Sequence, residues 1–261
     1  MDRYDLIQEF NKTIFEIYSE EKLQCLSGHF KGKPDRYFDI TTKCKINFNS
    51  NFNYTKIFDD LILCSDEILY FTAQLFLYRP LLLNPKGYFQ KENEFSKSCV
   101  RFSDIETIEN KRYYMLVDII YEKFYNFWDR IGDLIASFFP ESKCFRNEKN
   151  IYFANVIDKL YKKQEFENII TSKSFVWLLN FKENEYSELK ESRNQIVHQT
   201  LTRTKLKYEF LNNHEQIQNW INKRYKLADY FNDQIEYTII GFEYTLSFLE
   251  NIGENLFLDI D

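Results

Sequence analysis

Apolar residues recur along much of the chain at steps of three and four positions, the spacing that one face of an α-helix presents. The longest such pattern begins at Ile105 and is stopped by Pro140, a residue that cannot continue a helix. Its apolar positions from residue 113 onward are Leu116, Val117, Ile120, Phe124, Phe127, Ile131, Leu134, Ile135 and Phe138. This segment is therefore predicted to form a long core helix.

Similar patterns predict further helices over residues 4–23, 55–79, 150–164, 173–199, 214–228 and 231–252. Residues 26–43 and 80–104 each hold glycine and proline and are predicted to be loops. The long helices between residues 105 and 252 predict an all-α fold, an antiparallel four-helix bundle. The predicted domains are a helical extension over residues 1–104 and the bundle over residues 105–261.

Composition agrees with an all-helical protein. Only 6 glycines and 4 prolines occur in 261 residues, too few for folds that depend on many turns or glycine loops. The formal net charge of −6 excludes nucleic-acid binding through bulk positive charge, so such binding would require a local basic surface. The 5 cysteines are widely spaced without a CxxC pair, which favours reduced thiols over disulfides or a zinc site.

The sequence predicts a soluble cytoplasmic protein with no membrane partner. The first residues, MDRYDLIQEF, carry acids where a signal peptide has a basic start and an apolar run. The most apolar stretch, YFTAQLFLYRPLLL, is interrupted by Arg79 and Pro80. It therefore falls short of the roughly 18 uninterrupted apolar residues that a membrane span requires.

The stretch ESRNQIVHQT, residues 191–200, contains one of the 3 histidines of the chain. Threonines follow His198 and disfavour helix, so His198 is expected in or near the last turn of its helix. Asn194 precedes His198 by four residues and shares its face, where the amide can orient the imidazole. Arg193 points about 140° away. The spacing therefore indicates a composite site, in which two copies of the helix end meet at a two-fold axis.

An arginine and a histidine together suit one kind of chemistry, the cleavage of RNA through its own 2′-hydroxyl group. Histidine exchanges a proton near neutral pH, and arginine presents a permanently charged fork to phosphate oxygens. His198 would remove the hydroxyl proton or protonate the leaving oxygen, while Arg193 would stabilise charge on the phosphorane. We expect no metal and no other cofactor, and the chain has no HExxH, ExxH or CxxC pattern.

Two basic stretches are candidates for contact with the RNA backbone. The first surrounds the motif in the sequence, and the second includes an aromatic ring that can stack on a base. The predicted RNA-binding residues are Lys190, Arg203, Lys205, Lys207, Lys223, Arg224 and Tyr225, with Lys226 in the second stretch.

Other interpretations of the motif compete with the catalytic one. The helix dipole favours a histidine near a helix C-terminus, and an arginine there often pairs with a glutamate. Residue types alone favour this structural interpretation. One alternative function is a non-catalytic helical module that binds RNA, a nucleotide or a partner protein through the same surface. Another is a structural protein in which the motif has no chemical role.

The segment RNQIVH resembles the R-x4-6-H signature of the HEPN superfamily, in which a polar residue, commonly Asn, follows the arginine. Arg193, Asn194 and His198 match these positions, at the end of a bundle helix as in that superfamily. The resemblance covers residues 105–252 and implies a homodimer with the motif at its interface. It also implies metal-independent RNase activity, as in toxin–antitoxin and phage-defence systems, where an antitoxin or regulatory protein is a partner. One HEPN subgroup has Tyr where this chain has Thr200, so regulation through that tyrosine is not expected.

Three other features carry weaker signals. GHFKGKP has glycines and a lysine but lacks the length and the Ser/Thr ending of a P-loop, so it indicates an exposed turn with His29 as a loop residue. His214 follows a suitable N-cap, Asn213, and is expected at the surface. The tryptophans Trp128, Trp177 and Trp220 lie in apolar stripes and are predicted to be core residues.

Overall fold

The computed structural model describes residues 2–30, 35–43, 53–82, 108–139, 145, 151–163, 166–198, 201–202, 204 and 217–256. These residues are almost entirely helical, and no strand occurs among them. The predicted all-α fold class is confirmed. The basis is local, because the apolar positions follow helical spacing over most of these segments.

The α-helices are numbered here in chain order. They are α1 (Arg3–Glu20), α2 (Leu26–His29), α3 (Asp35–Lys43), α4 (Tyr54–Tyr78), α5 (Ile108–Ser137), α6 (Phe153–Lys162), α7 (Glu167–Ile170), α8 (Lys173–Glu183), α9 (Glu185–His198) and α10 (Ile217–Leu256). A 3-10 helix, Arg79–Leu81, follows α4 directly. Helix α4 ends there because Pro80 disfavours α-helical geometry at the residue before it. The bounds of α1, α4, α5 and α6 lie within three residues of the predicted ones at each end.

The prediction of a single helix over residues 173–199 is wrong, because the chain breaks between α8 and α9. The break falls at Asn184, whose backbone leaves helical geometry (φ −104°, ψ −88°). Its side-chain Nδ2 donates to the carbonyl of Asn180, 2.8 Å away. An asparagine that bonds the backbone in this way competes with continuation of the helix.

The prediction of two helices over residues 214–228 and 231–252 is also wrong, since α10 is continuous from Ile217 to Leu256. Ala228, Phe231 and Ile235 are all buried. Their spacing carries one buried helical face across the predicted gap, so packing supports an uninterrupted helix there.

The loop predicted over residues 26–43 contains α2 and α3. The backbone N–H of Leu26 donates to Oγ of Ser65 at 2.9 Å, so a side chain of α4 satisfies the start of α2. On α3, the ring of Tyr37 stacks on that of Phe58 with centroids 3.9 Å apart. Packing against α4 therefore supports the helices α2 and α3. The other predicted loop, residues 80–104, lies beyond Leu82 outside the described residues.

The chain forms two compact units. Unit 1 comprises Met1–Leu23, Ile68–Glu122 and Ser192–Gln234, and unit 2 comprises Gln24–Glu67, Lys123–Glu191 and Ile235–Asp261. Each unit combines sequence from both sides of residue 104. The predicted boundary between an extension and a bundle lies outside the described residues and stays a prediction.

Unit 1 is held together by contacts between the end of α4, the first half of α5 and the first half of α10. The Tyr113 hydroxyl donates to the backbone carbonyl of Arg224 at 2.7 Å. The rings of Tyr121 and Phe231 pack edge to face, with centroids 4.8 Å apart. In the 3-10 helix that follows α4, Arg79 donates through both Nη atoms to the two carboxylate oxygens of Asp229, at 2.8 and 2.9 Å.

Unit 2 has an aromatic core. The ring centroids of Trp128 and Phe181 are 4.0 Å apart, and Trp128 is fully buried. Trp177 is half-buried and stacks on both Phe181 and Tyr244. The predicted core position of Trp128 is confirmed, whereas the side chain of Trp220 lies outside the described residues.

One described helix, Thr55–Leu81, is long and apolar enough to cross a membrane by length and composition. Half of its apolar window is buried inside the protein, which is also the behaviour of a core helix in a soluble protein. The observation is compatible with the predicted soluble state. The predicted cytoplasmic location stays a prediction.

Candidate functional site

Arg193 and Asn194 lie near the C-terminal end of α9, in unit 1, and both are half-buried. Nη1 of Arg193 lies 3.4 Å from Oδ1 of Asn194, to which it donates. Nε of Arg193 lies 3.4 Å from Oε2 of Glu122 on α5. The guanidinium is therefore oriented by a neighbouring amide and by one carboxylate.

His198 is the last residue of α9, and its predicted place in or near the last turn of its helix is confirmed. The last four carbonyl groups of a helix have no partner within it, so a residue there is held less firmly than one in the middle. The side chain of His198 lies outside the described parts of the chain. The predicted orientation of its ring by Asn194 therefore stays a prediction.

A second carboxylate of α5, Asp118, holds the chain beyond His198. Its Oδ1 accepts a hydrogen bond from the backbone N–H of Thr202 at 3.3 Å. The Thr202 hydroxyl also bonds this carboxyl group. Burial raises the pKa of the Asp118 carboxyl, and the two bonds from Thr202 partly offset that rise.

Neither Asp118 nor Glu122 was among the site residues predicted from the sequence. Both are acids on a long helix, more than 70 positions before Arg193 in the sequence, and such acids usually face solvent. A signal was nevertheless present, because their spacing of four places both on one face of α5. In unit 1, that face contacts Arg193 near the end of α9 and Thr202 beyond it.

The structure places the predicted RNA-binding residues differently. Lys190 is exposed on α9, and Lys223 is exposed on α10. Arg224, in contrast, is only 1% exposed, so the prediction that it contacts RNA at the surface is corrected. Its Nη2 donates to Oδ1 of Asn110, its guanidinium lies over the ring of Tyr114, and burial lowers its pKa. Arg203, Lys205 and Lys207 lie outside the described residues.

Tyr225 is half-buried between other groups of unit 1. The guanidinium carbon of Arg79 lies 5.7 Å from its ring centroid, and its hydroxyl donates to the Leu82 carbonyl at 3.5 Å. The Arg79 guanidinium therefore already makes a cation–π contact with this ring. Stacking of a base on Tyr225 stays a prediction and would have to use the rest of the ring.

The first turns of α5 and the early part of α10 carry exposed basic side chains. Lys111 and Arg112 directly precede Tyr113, and Lys223 and Lys226 lie on either side of the buried Arg224. The hydrogen bond from the Tyr113 hydroxyl to the Arg224 carbonyl brings these two stretches together. Although the whole chain is acidic, this part of unit 1 presents a basic surface, which we call the basic end. Electrostatic attraction to phosphates needs such a local cluster.

His29, a histidine whose side-chain contacts are described, belongs to a different cluster. His29 ends α2 rather than lying in a loop, and its Nε2 is 2.8 Å from Oε1 of Glu243 in unit 2. The rest of the GHFKGKP stretch, residues 31–34, and His214 lie outside the described residues. Cys25 and Cys64 are buried and form no disulfide. Within the described segments, no group of three or more His, Cys, Asp or Glu side chains is placed to hold a metal ion.

Helical architecture and an R-x4-6-H motif at the end of a helix together define a HEPN-type protein. The chain belongs to the Cthe2314-like HEPN family, whose model matches residues 83–256. The match covers about two-thirds of the chain and includes α5 to α10 with Arg193, Asn194 and His198. No curated protein and no solved structure matches the chain at a significant level.

Proposed function

We propose that this protein is a metal-independent endoribonuclease of the HEPN type, acting as a toxin or phage-defence effector. One observation carries the proposal: Arg193, Asn194 and His198 occupy the motif positions at the end of α9, inside the segment that matches a HEPN family. Many HEPN proteins with this motif are ribonucleases, and the residue types present supply the groups that such cleavage needs.

The proposed reaction uses the RNA itself as nucleophile. The 2′-hydroxyl loses its proton to a base and attacks the adjacent phosphorus, so that a new P–O2′ bond forms. The P–O5′ bond breaks, and the departing oxygen takes up a proton. His198 serves as the base or the acid, and Arg193 stabilises the charge that develops on the phosphorane oxygens. The products are a 2′,3′-cyclic phosphate and a 5′-hydroxyl.

The proposed site is shared between two chains of a homodimer. Arg193 and His198 are five residues apart on a helix, so their side chains leave it in directions about 140° apart. Val197 and Leu201, on either side of His198 in the sequence, are 47% and 54% exposed. A second copy of this surface would bury both apolar side chains and bring one chain's arginine towards the other's histidine.

RNA is proposed to reach this site along the basic end of unit 1. Lys111 on α5 lies seven residues before Asp118 and therefore on nearly the same helical face, about 10 Å along the axis. Lys223 and Lys226 on α10 extend the surface. Such residues would contact phosphates without reading the base sequence.

One observation favours the second candidate, a HEPN module that binds RNA, a nucleotide or a protein without cutting. Arg193 already faces Glu122, a pairing that a purely structural arginine would also make. A nuclease must in addition present other N–H groups of the Arg193 guanidinium to a phosphate oxygen. The two candidates differ in one measurable result, which is whether bound RNA is shortened.

The test is cleavage of a labelled single-stranded RNA in EDTA, with identification of the product ends. We expect fragments with 2′,3′-cyclic phosphate ends, and a loss of at least about a thousandfold in rate for His198→Ala and for Arg193→Ala. Matched controls are His29→Ala and Arg130→Ala in unit 2, which should cut at the wild-type rate. RNA that is retained but never shortened would favour the binding module, and full activity in both motif variants would refute the proposed site.

A further inference from the structure

Two carboxylates of α5 hold the motif segment at both ends. Glu122 faces Arg193 at 3.4 Å, and Asp118 accepts from the Thr202 backbone N–H at 3.3 Å. The two acids are four residues apart and lie on one face of α5. The nine-residue step from Arg193 to Thr202 therefore begins and ends on the same face of a neighbouring helix, with His198 between the two contacts.

These two contacts restrict the chain at a helix end, where it would otherwise be weakly held. His198 is the final residue of α9, where the backbone lacks the hydrogen bonds that stiffen the middle of a helix. Helix ends fray, and local opening is easiest where backbone bonds are few. A bond to Thr202, four residues beyond the helix end, limits how far the chain around His198 can move.

The contact of Asp118 with Thr202 is also costly to form, which argues against an incidental surface bond. The carboxylate is half-buried and must give up part of its hydration. It recovers some of that cost from both the N–H and the hydroxyl of one residue. An acid with no positional role could remain in water at no cost.

We propose that Asp118 and Glu122 are positioning residues of the ribonuclease site, an inference that rests on the proposed function. Glu122 sets the direction of the Arg193 guanidinium, and Asp118 fixes the backbone that follows His198. Neither group touches the RNA. Each acts through the residue it holds, and misplacement of a reacting group by about 1 Å can lower a rate by about a hundredfold.

The first experiment separates positioning from folding by comparing two substitutions at one residue. Asp118→Ala removes the acceptor of the Thr202 bonds, whereas Asp118→Asn keeps an oxygen that can accept from the N–H. Per folded molecule, we expect Asp118→Ala to lower kcat about tenfold to a hundredfold with KM changed by less than about twofold. Asp118→Asn should restore most of kcat.

Asp133 provides a matched control on the same helix. It is also a half-buried aspartate whose pKa burial raises, but its partner is Arg130, 2.7 Å away in unit 2. Asp133→Ala should therefore leave kcat per folded molecule unchanged. A loss of kcat in Asp133→Ala equal to that in Asp118→Ala would overturn the inference, because it would show a general effect of damage to α5.

The second experiment does not depend on activity. Hydrogen exchange of the Thr202 backbone amide should be faster in Asp118→Ala than in wild type, and close to wild type in Asp118→Asn. Equal exchange in all three proteins would overturn the anchoring of this segment by Asp118.

For Glu122, Glu122→Ala should lower kcat about tenfold, while Glu122→Gln, which keeps an oxygen near Arg193, should recover part of it. Suppose that wild type cuts RNA, that His198→Ala is inactive, and that Asp118→Ala has the kcat of wild type. In that case only the positioning inference fails. If wild type and His198→Ala are both inactive on RNA, the proposed function fails and the inference falls with it.

Discussion

Arg36 on α3 makes a bidentate contact with Glu250 on α10: its Nε and Nη2 each donate to a different oxygen of that carboxylate, 2.7 Å away. The same guanidinium reaches Glu243 through Nη1 at 2.6 Å and the Ser247 hydroxyl through Nη2 at 2.9 Å. Hydrogen bonds to Glu250 are the largest cause of a raised pKa for Arg36. This planar, multiply bonded arrangement uses the geometry that distinguishes arginine from lysine.

Removal of the contacts that Arg36 makes should destabilise unit 2. Arg36→Ala is expected to lower the free energy of unfolding by about 1–2 kcal/mol, a modest value because the side chains remain about one-third exposed. Arg36→Lys keeps the charge but loses the two-point geometry, so it should lose most of the same stability. Urea unfolding monitored by circular dichroism measures the difference. Equal stability of wild type and Arg36→Lys would show that charge alone accounts for the contact.

The buried thiol of Cys64 should be unreactive in the native protein. Burial raises its pKa to about 12, and its Sγ donates to the Lys123 carbonyl at 3.2 Å. Because the folded state holds the proton more tightly than an unfolded thiol does, the stabilising contribution of the neutral thiol is present below about pH 9. It is lost as pH rises from there towards about 12.

Alkylation followed by peptide mass spectrometry tests this expectation at pH 8. Cys64 should be labelled at least about a hundredfold more slowly in native protein than in denaturant, since only the thiolate reacts and the site must open first. Rapid labelling of Cys64 under native conditions would contradict the buried placement.

Local patterns predicted most of the fold. Helix α5 follows from its own apolar spacing, because a long helix with one buried face repeats the same signal over many turns. The break at Asn184 was not predictable in this way, since one side chain bonding its own backbone leaves the apolar pattern unchanged. Helices α2 and α3 were missed for another reason. Their support comes from Ser65 and Phe58 of α4, which are distant in the sequence.

The same distinction applies to the site. Arg193, Asn194 and His198 are close together in the sequence, so their spacing could be interpreted directly. Asp118 and Glu122 join them only through contacts of α5 with Thr202 and with Arg193. The sequence pattern predicts a surface position for Arg224 because it stands among basic residues. On a helix that packs against a core, however, four consecutive side chains span most of a turn, and one of them must face inward.

The different placements of Lys223 and Arg224 predict opposite effects on RNA binding and stability. Lys223→Ala should weaken RNA binding and reduce the salt dependence of log K by about 0.7, with unchanged thermal stability. Arg224→Ala should lower the free energy of unfolding by about 2–4 kcal/mol. The substitution removes the hydrogen bond to Oδ1 of Asn110 and leaves a cavity where the guanidinium was buried. Its RNA affinity per folded molecule should match wild type.

Filter binding between 50 and about 200 mM salt measures both slopes, in a His198→Ala background that prevents cleavage. Met115→Ala is a control, since it removes an exposed apolar side chain of α5 without altering charge. A normal salt slope in Lys223→Ala would remove the basic end from the proposed RNA path.

A composite site makes a prediction that no site within one chain can satisfy. Arg193→Ala retains its histidine, and His198→Ala retains its arginine. When one subunit of each kind pairs, one of the two sites regains both groups and the other loses both. Random exchange between equal amounts of the two variants gives about half mixed dimers, so about a quarter of wild-type activity should return.

Denaturation and joint refolding of the two inactive proteins provides this test, with each variant refolded alone as the control. Recovery close to a quarter requires that Arg193 of one chain act with His198 of the other, because the two helix positions point about 140° apart. If cleavage by wild type is observed but the mixture stays inactive although mixed dimers are shown to form, both groups act within one chain. The helix end would then have to unwind or bend to bring them onto one phosphate, and the two-fold arrangement would be excluded.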